Sequence, residues 1–66
     1  MTFHDACRAV LAHCPDPYAK SYANAGLMLA TDKACKVQAL YILGNMTKWR
    51  GDVAREVRTT LKEISK

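Results

Sequence analysis

Apolar residues recur at helical spacing in four segments of the chain, and proline, glycine and short polar residues separate these segments. The first segment begins with Thr2 as a helix cap and Asp5 three residues later, which is a variant of the capping box, and it stops at Pro15. Asp16 and Pro17 then give a strong start signal, because the carboxylate can cap a helix and proline suits its first position. The apolar positions of these two predicted helices are Phe3, Ala6, Cys7, Val10, Leu11 and Cys14, and then Tyr18, Ala19, Tyr22, Ala23, Gly26 and Ala30.

The third segment, "DKACKVQALYILGNMTKW", is apolar on two sides and is capped by Thr31 or Asp32. A helix with two apolar stripes is either central in a bundle or part of a dimer seam. One stripe contains Val37, Leu40, Tyr41 and Gly44, and the other contains Cys35, Ala39, Ile42 and Met46.

The stretch "TKWRGDVAREV" joins the third helix to the last one. Gly51 is expected to have a positive φ and to close one helix, and Asp52 is expected to cap the next. Trp49 is read as a buried plug, with Lys48 and Arg50 at a helix C-terminus that favours cations. The alternative for Trp49 is a stacking platform between two cations. The last helix has its apolar positions at Val53, Val57, Leu61 and Ile64.

These patterns predict an all-α fold, a small bundle of about four short helices in one domain covering residues 1–66. A chain of this length buries only about 60% of its unfolded surface, and half of its residues are apolar. Self-association is therefore expected, and the bundle is predicted to form a homodimer. The candidate dimer seam consists of Tyr41, Ile42, Met46 and Trp49.

The cysteines and the N-terminal segment indicate the compartment. Three cysteines are an odd number, and Cys7 and Cys14 would lie two helical turns apart, too far to bridge. Reduced thiols are typical of the cytoplasm. The segment "MTFHDACRAVLAHCPDP" lacks the basic start and uninterrupted apolar core of a signal peptide. A soluble cytoplasmic protein that does not contact a membrane is expected.

Three stretches, "YAKSYANAGL", "KVQALYILGNM" and "WRGDVAREVRTTL", resemble a group of short orphan proteins of tailed bacteriophages and prophages. The resemblance covers about two thirds of the chain and leaves out the first helix. It implies expression in the cytoplasm of an infected bacterium, where small phage proteins commonly bind and redirect a host protein or nucleic acid. It transfers no activity and no functional residue.

Charge is unevenly distributed along the sequence. Residues 1–32 carry a net charge of −1, whereas residues 33–66 carry +5, from eight cations and three carboxylates. On the last helix, the spacing of Arg55, Arg58, Lys62 and Lys66 places cations in one stripe, which can neutralise phosphates. The favoured reading is a solvated helix face, because Glu56 and Glu63 dilute the field. The candidate contacts with a partner or a nucleic acid are Lys48, Arg50, Arg55, Arg58 and Lys62.

No catalytic motif is present. The sequence has no Gly-rich phosphate loop, and a serine or cysteine nucleophile would lack an oriented base, so neither an enzyme nor a cofactor site is expected. A mixed metal site of His4, Cys7, Cys14 and Cys35 is conceivable, but the same cysteines lie on apolar stripes and are read as core residues.

The sequence therefore predicts a non-enzymatic interaction protein of phage type that binds a host macromolecule as a homodimer. The alternative is a small basic nucleic-acid-binding protein that uses the last helix. Salt dependence would separate them, since phosphate contacts weaken steeply with salt.

Overall fold

The computed structural model describes residues 1–66 as four α-helices without strands, which confirms the all-α prediction. The helices are α1 (Phe3–His13), α2 (Pro17–Gly26), α3 (Asp32–Asn45) and α4 (Asp52–Ile64). Each packs against the helices before and after it, and α4 also packs against α1, which closes the bundle. The bundle measures 28 × 20 × 18 Å. None of the helices combines the length and the apolar character that a membrane span requires.

Side chains cap the first three helices. The Thr2 hydroxyl accepts a hydrogen bond from the Asp5 amide at 3.1 Å, and the Asp5 carboxylate accepts one from the Thr2 amide at 3.0 Å. These bonds hold the pKa of Asp5 below its ordinary value, the backbone amide of Thr2 being the main cause. The Asp16 carboxylate accepts two amide hydrogen bonds at the start of α2. Thr31, rather than Asp32, caps α3 through its hydroxyl.

The connection between α3 and α4 differs from the sequence prediction. Helix α3 ends at Asn45, and residues 46–50 form a turn in which the Trp49 amide donates to the Met46 carbonyl at 3.1 Å. Lys48 and Arg50 therefore lie on this turn and not at a helix C-terminus. Gly51 has φ +114°, as predicted. It is the N-cap of α4, whereas Asp52 is the first helical residue and makes no capping bond.

The core contains 15 buried apolar side chains, the largest of which come from α1, α3, α4 and the turn after α3. Helix α2 contributes only the small residues Ala19, Ala23 and Gly26. It approaches α1 so closely at Gly26 that a Cβ there would lie 2.9 Å from Cys7 Sγ and 3.1 Å from Phe3 Cζ. Trp49 is buried in this core, which confirms its reading as a plug.

The accessible surface area of one protomer is that expected of a folded monomer. Its accessible surface is 4271 Å², close to the roughly 4,200 Å² expected for a folded monomer of 7.3 kDa. No buried side-chain nitrogen or oxygen lacks a hydrogen-bond partner. The core is thus closed within one copy, and any partner must bind on the outside of the bundle.

Candidate interaction surfaces

The two apolar stripes of α3 face in opposite directions. The stripe of Cys35, Ala39 and Ile42 points into the core, and Met46 continues it in the turn beyond the helix. The stripe of Val37, Leu40, Tyr41 and Gly44 is exposed. The helix is therefore central to the bundle on one side and free on the other.

This arrangement corrects the dimer seam expected from the sequence. Ile42, Met46 and Trp49 are buried inside one protomer and expose at most 6% of their surface, so they offer almost no area to a second copy. The inward direction follows from packing, because α3 packs against α2 and α4 and these three side chains belong to the one core cluster. Of the expected seam residues, Tyr41 alone is exposed.

Tyr41 belongs to a larger exposed patch, which we call the aromatic face. It consists of Tyr18 and Tyr22 on α2 and Val37, Leu40 and Tyr41 on α3. The Tyr22 and Tyr41 rings bridge the two helices, with centroids 5.5 Å apart and planes inclined by 31°. The sequence pattern had grouped the two α2 tyrosines with Ala19 and Ala23, but only the small residues fit against the neighbouring helices.

One hydrogen bond to a backbone carbonyl joins the two helices of the aromatic face, and a second lies within α3. The Gln38 amide nitrogen of α3 donates to the Tyr22 carbonyl of α2 at 2.8 Å. The Asn45 amide nitrogen donates to the Tyr41 carbonyl at the same distance, near the end of α3. The five apolar side chains are therefore displayed on a fixed surface, and none of them is charged.

Four exposed cations follow α3, and we call them the basic edge: Lys48 and Arg50 on the turn before α4, and Arg55 and Lys62 on α4 itself. All four are exposed, and none forms an ion pair, since the ion pairs of the chain join Arg8 to Asp5 and Lys66 to Glu63. Arg55 and Lys62 are seven residues apart on α4 and share one side of it. The exposed carboxylates of Asp52 and Glu56 lie on the same helix.

Arg58, which the sequence placed among these contacts, has a different role. It is half-buried, and its guanidinium donates hydrogen bonds to the carbonyls of Met46, at 3.0 Å, and Trp49. These carbonyls follow the end of α3, so Arg58 ties the turn to α4. The spacing of the charges did not predict these hydrogen bonds, because their acceptors are backbone carbonyls 9 and 12 residues away in the sequence.

The N-terminus of α4 differs from those of the other helices. Gly51 has no side chain that could satisfy the first amides of α4, and no capping bond is formed. Helix N-termini attract anions, because free N–H groups and the helix dipole both point outward. Lys48, Arg50 and Arg55 are close in sequence to this end, as is the carboxylate of Asp52.

A groove of about 930 Å³ opens between the starts of α1 and α3 and the end of α4. Phe3 and Cys35 are among its apolar lining residues, and it carries both lysines and carboxylates. His4 also lines the groove, and its Nε2 atom lies 2.8 Å from the Leu29 carbonyl. The groove is lined by three lysines and two carboxylates, and its histidine already has a backbone partner.

The cysteines are buried free thiols. Burial raises the pKa of Cys7 to about 11, and the nearby Cys35 adds to the effect. Burial also raises the pKa of Cys35, with a further contribution from Asp32. Protonated thiols are poor nucleophiles and poor ligands. Nowhere do three His, Cys, Asp or Glu side chains converge in an arrangement that could hold a metal ion.

No protein-family model, curated protein or solved structure matches this chain. The case for function therefore depends on the two exposed surfaces, the aromatic face and the basic edge.

Proposed function

We propose that this chain is a non-enzymatic interaction protein of phage type, which forms a homodimer and binds a host macromolecule in the bacterial cytoplasm. The observation that carries the proposal is the aromatic face. Five large apolar side chains lie exposed on two helices that are already fixed by the core. Contiguous apolar patches of this kind on soluble proteins commonly mark interaction sites.

The basic edge supplies the contacts with the host macromolecule. Its cations are exposed and have no ion-pair partners within the chain, so an acidic surface on a host protein can pair with them. Complementary charge of this kind increases the association rate and favours acidic partners over basic ones. The exposed aromatic face and the basic edge then serve different partners.

Affinity capture from bacterial lysate tests this function. The variant Arg50→Gln/Arg55→Gln removes two cations of the basic edge, and Lys33→Gln/Lys36→Gln is its control, with the same change of charge elsewhere on the exposed surface. Capture should be lost with the first variant, retained with the second and unaffected by nuclease. Equal capture by both variants would contradict the assignment of the basic edge.

Nucleic-acid binding is the second candidate, and the uncapped start of α4 favours it. A phosphate could accept hydrogen bonds from the free amides there while Lys48 and Arg50 neutralise its charge. In that case, binding to DNA or RNA should weaken steeply as salt rises, and nuclease should abolish the capture. Binding that is retained at high salt and after nuclease treatment would exclude this candidate.

A further inference from the structure

We infer that the aromatic face is the seam between two copies of this chain, with α3 of one copy packed antiparallel against α3 of the other. The inference rests on the homodimer of the proposed function and identifies the surface that forms it. It replaces the seam read from the sequence, because three of those four side chains are buried within the protomer.

The exposed area matches what a dimer requires. Fully exposed aromatic side chains present about 150–250 Å², so exposures of 69%, 38% and 50% leave roughly 300 Å² on Tyr18, Tyr22 and Tyr41. Val37 and Leu40, which are 44% and 54% exposed, bring the total to roughly 450 Å². A standard interface buries about 800 Å² per partner, and about 65% of a homodimer interface is apolar, which gives roughly 500 Å².

The lack of charge favours a second copy as the occupant. The chain has a net charge of +4, so two copies repel each other unless they meet on a neutral surface. In a two-fold symmetric interface the same patch contacts itself, and a charged patch would oppose its own charge. The centre of the aromatic face carries no charged residue, although Lys33 and Lys36 lie exposed on α3 one turn before Val37 and Leu40. The four cations of the basic edge, by contrast, would oppose one another.

The exposed residues of α3 are spaced so that large and small side chains would face each other across a two-fold axis. If the two-fold axis passes between Leu40 and Tyr41, antiparallel α3 helices place Leu40 opposite Tyr41 and Val37 opposite Gly44. A Cβ at Gly44 would meet no atom within 4 Å, so this position offers open space to the larger Val37 of a second copy. Pairing a large residue with a small one lets two helices approach closely.

The seam leaves the basic edge available. Helix α4 packs against α1 and α3, while the aromatic face lies across α2 and α3. A dimer formed through α3 therefore displays two basic edges. Two linked sites raise the apparent affinity for a partner with repeated acidic sites, without any new contact.

Sedimentation velocity on the intact chain tests the seam. We expect the wild type to sediment with twice the 7.3 kDa mass of one chain as its concentration approaches about 1 mM. Leu40→Glu should sediment as a monomer with unchanged helix content, because it places like charges near the axis. The matched control is Val53→Glu, which adds the same charge at an exposed apolar position of α4, away from the seam, and should remain dimeric.

A second variant covers the case in which Leu40→Glu fails to fold. Gly44→Leu has room in the protomer but fills the space needed by Val37, so it too should shift the protein to monomer. A monomeric wild type, or dimers that survive both Leu40→Glu and Gly44→Leu, would overturn the inference. Capture through the basic edge is measured separately, so loss of the seam would leave the host-binding part of the proposed function standing.

Discussion

Removing the Arg58 side chain should destabilise the protein far more than removing Arg55, although both arginines lie on α4 three residues apart. The guanidinium of Arg58 donates to the Met46 and Trp49 carbonyls, whereas the Arg55 side chain makes no hydrogen bond. Arg58→Gln leaves the Trp49 carbonyl without its partner, at a position next to the buried indole ring.

The expected magnitude follows from these contacts. Hydrogen bonds that involve a charged group contribute about 1.5–3 kcal/mol, and the partial exposure of Arg58 places the loss near 2 kcal/mol in total. A loss of this size lowers Tm by roughly 8–16 °C in a domain of about this length. Arg55→Gln should change the free energy of unfolding by no more than about 0.5 kcal/mol, as expected for an exposed side chain.

Urea denaturation followed by far-ultraviolet circular dichroism measures both free energies of unfolding. Both variants remove one positive charge, so a general charge effect would change them equally. If Arg58→Gln and Arg55→Gln unfold at the same urea concentration, the hydrogen bonds of Arg58 to the Met46 and Trp49 carbonyls do not stabilise the turn, and this role of Arg58 is refuted.

Three further predictions concern the core. Trp49→Ala should cost roughly 3–5 kcal/mol and leave little folded protein in a thermal melt, because the buried ring closes the end of the core. Gly26→Ala should lower the free energy of unfolding by about 1–3 kcal/mol, because its Cβ would overpack against Cys7 Sγ. In a double-mutant cycle, the same substitution should cost less in a Cys7→Ala background, where the sulfur is absent. Equal costs in the two backgrounds would exclude the contact between position 26 and Cys7. Folding raises the pKa of Cys7 from 9.0 to about 11, so between these pH values the thiol loses its proton in the unfolded chain but keeps it in the folded one. The free energy of unfolding should therefore fall as pH rises through this range. In chemical denaturation Cys7→Ala should show a weaker fall.

The sequence predicted the number of helices and most of their starts, because local signals determine both. It did not predict the end of α2 at Gly26, since Ala30 was counted among the apolar positions of that helix. Thr2 and Asp5, and then Asp16 and Pro17, identify helix starts through bonds within a few residues, and the structure contains these caps. The positive φ of Gly51 was also predictable, because few other residues adopt it readily.

The end of α3 was not predictable in the same way. The apolar pattern continues through Met46 and Trp49, which both contribute to the core, so periodicity extended the helix beyond Asn45. The turn that replaces the helix is held by Arg58, a contact between residues far apart in sequence. A local pattern contains no signal for such a partner.

The direction of the α3 stripes likewise depends on the rest of the fold. The two stripes have similar apolar character, and only the positions of the neighbouring helices α2 and α4 decide that Ile42 is buried and Leu40 exposed. The sequence therefore indicated a helix with two apolar sides but did not indicate which side is buried, and three of the four residues predicted for the seam lie in the core. On α2, the same ambiguity placed Tyr18 and Tyr22 with the buried alanines.

Cross-linking of a single introduced thiol tests the aromatic face as the dimer seam most directly. The three native cysteines are buried, so the thiol in Leu40→Cys would be the exposed one in the chain. Because position 40 lies near the proposed two-fold axis, this thiol would be close to the same thiol of the second chain. Mild oxidation or a short bismaleimide should therefore produce covalent dimers rapidly. Val53→Cys, exposed on α4, should stay monomeric on a denaturing gel under the same conditions. If Val53→Cys cross-links as fast as Leu40→Cys, or if neither does, the aromatic face is not the seam.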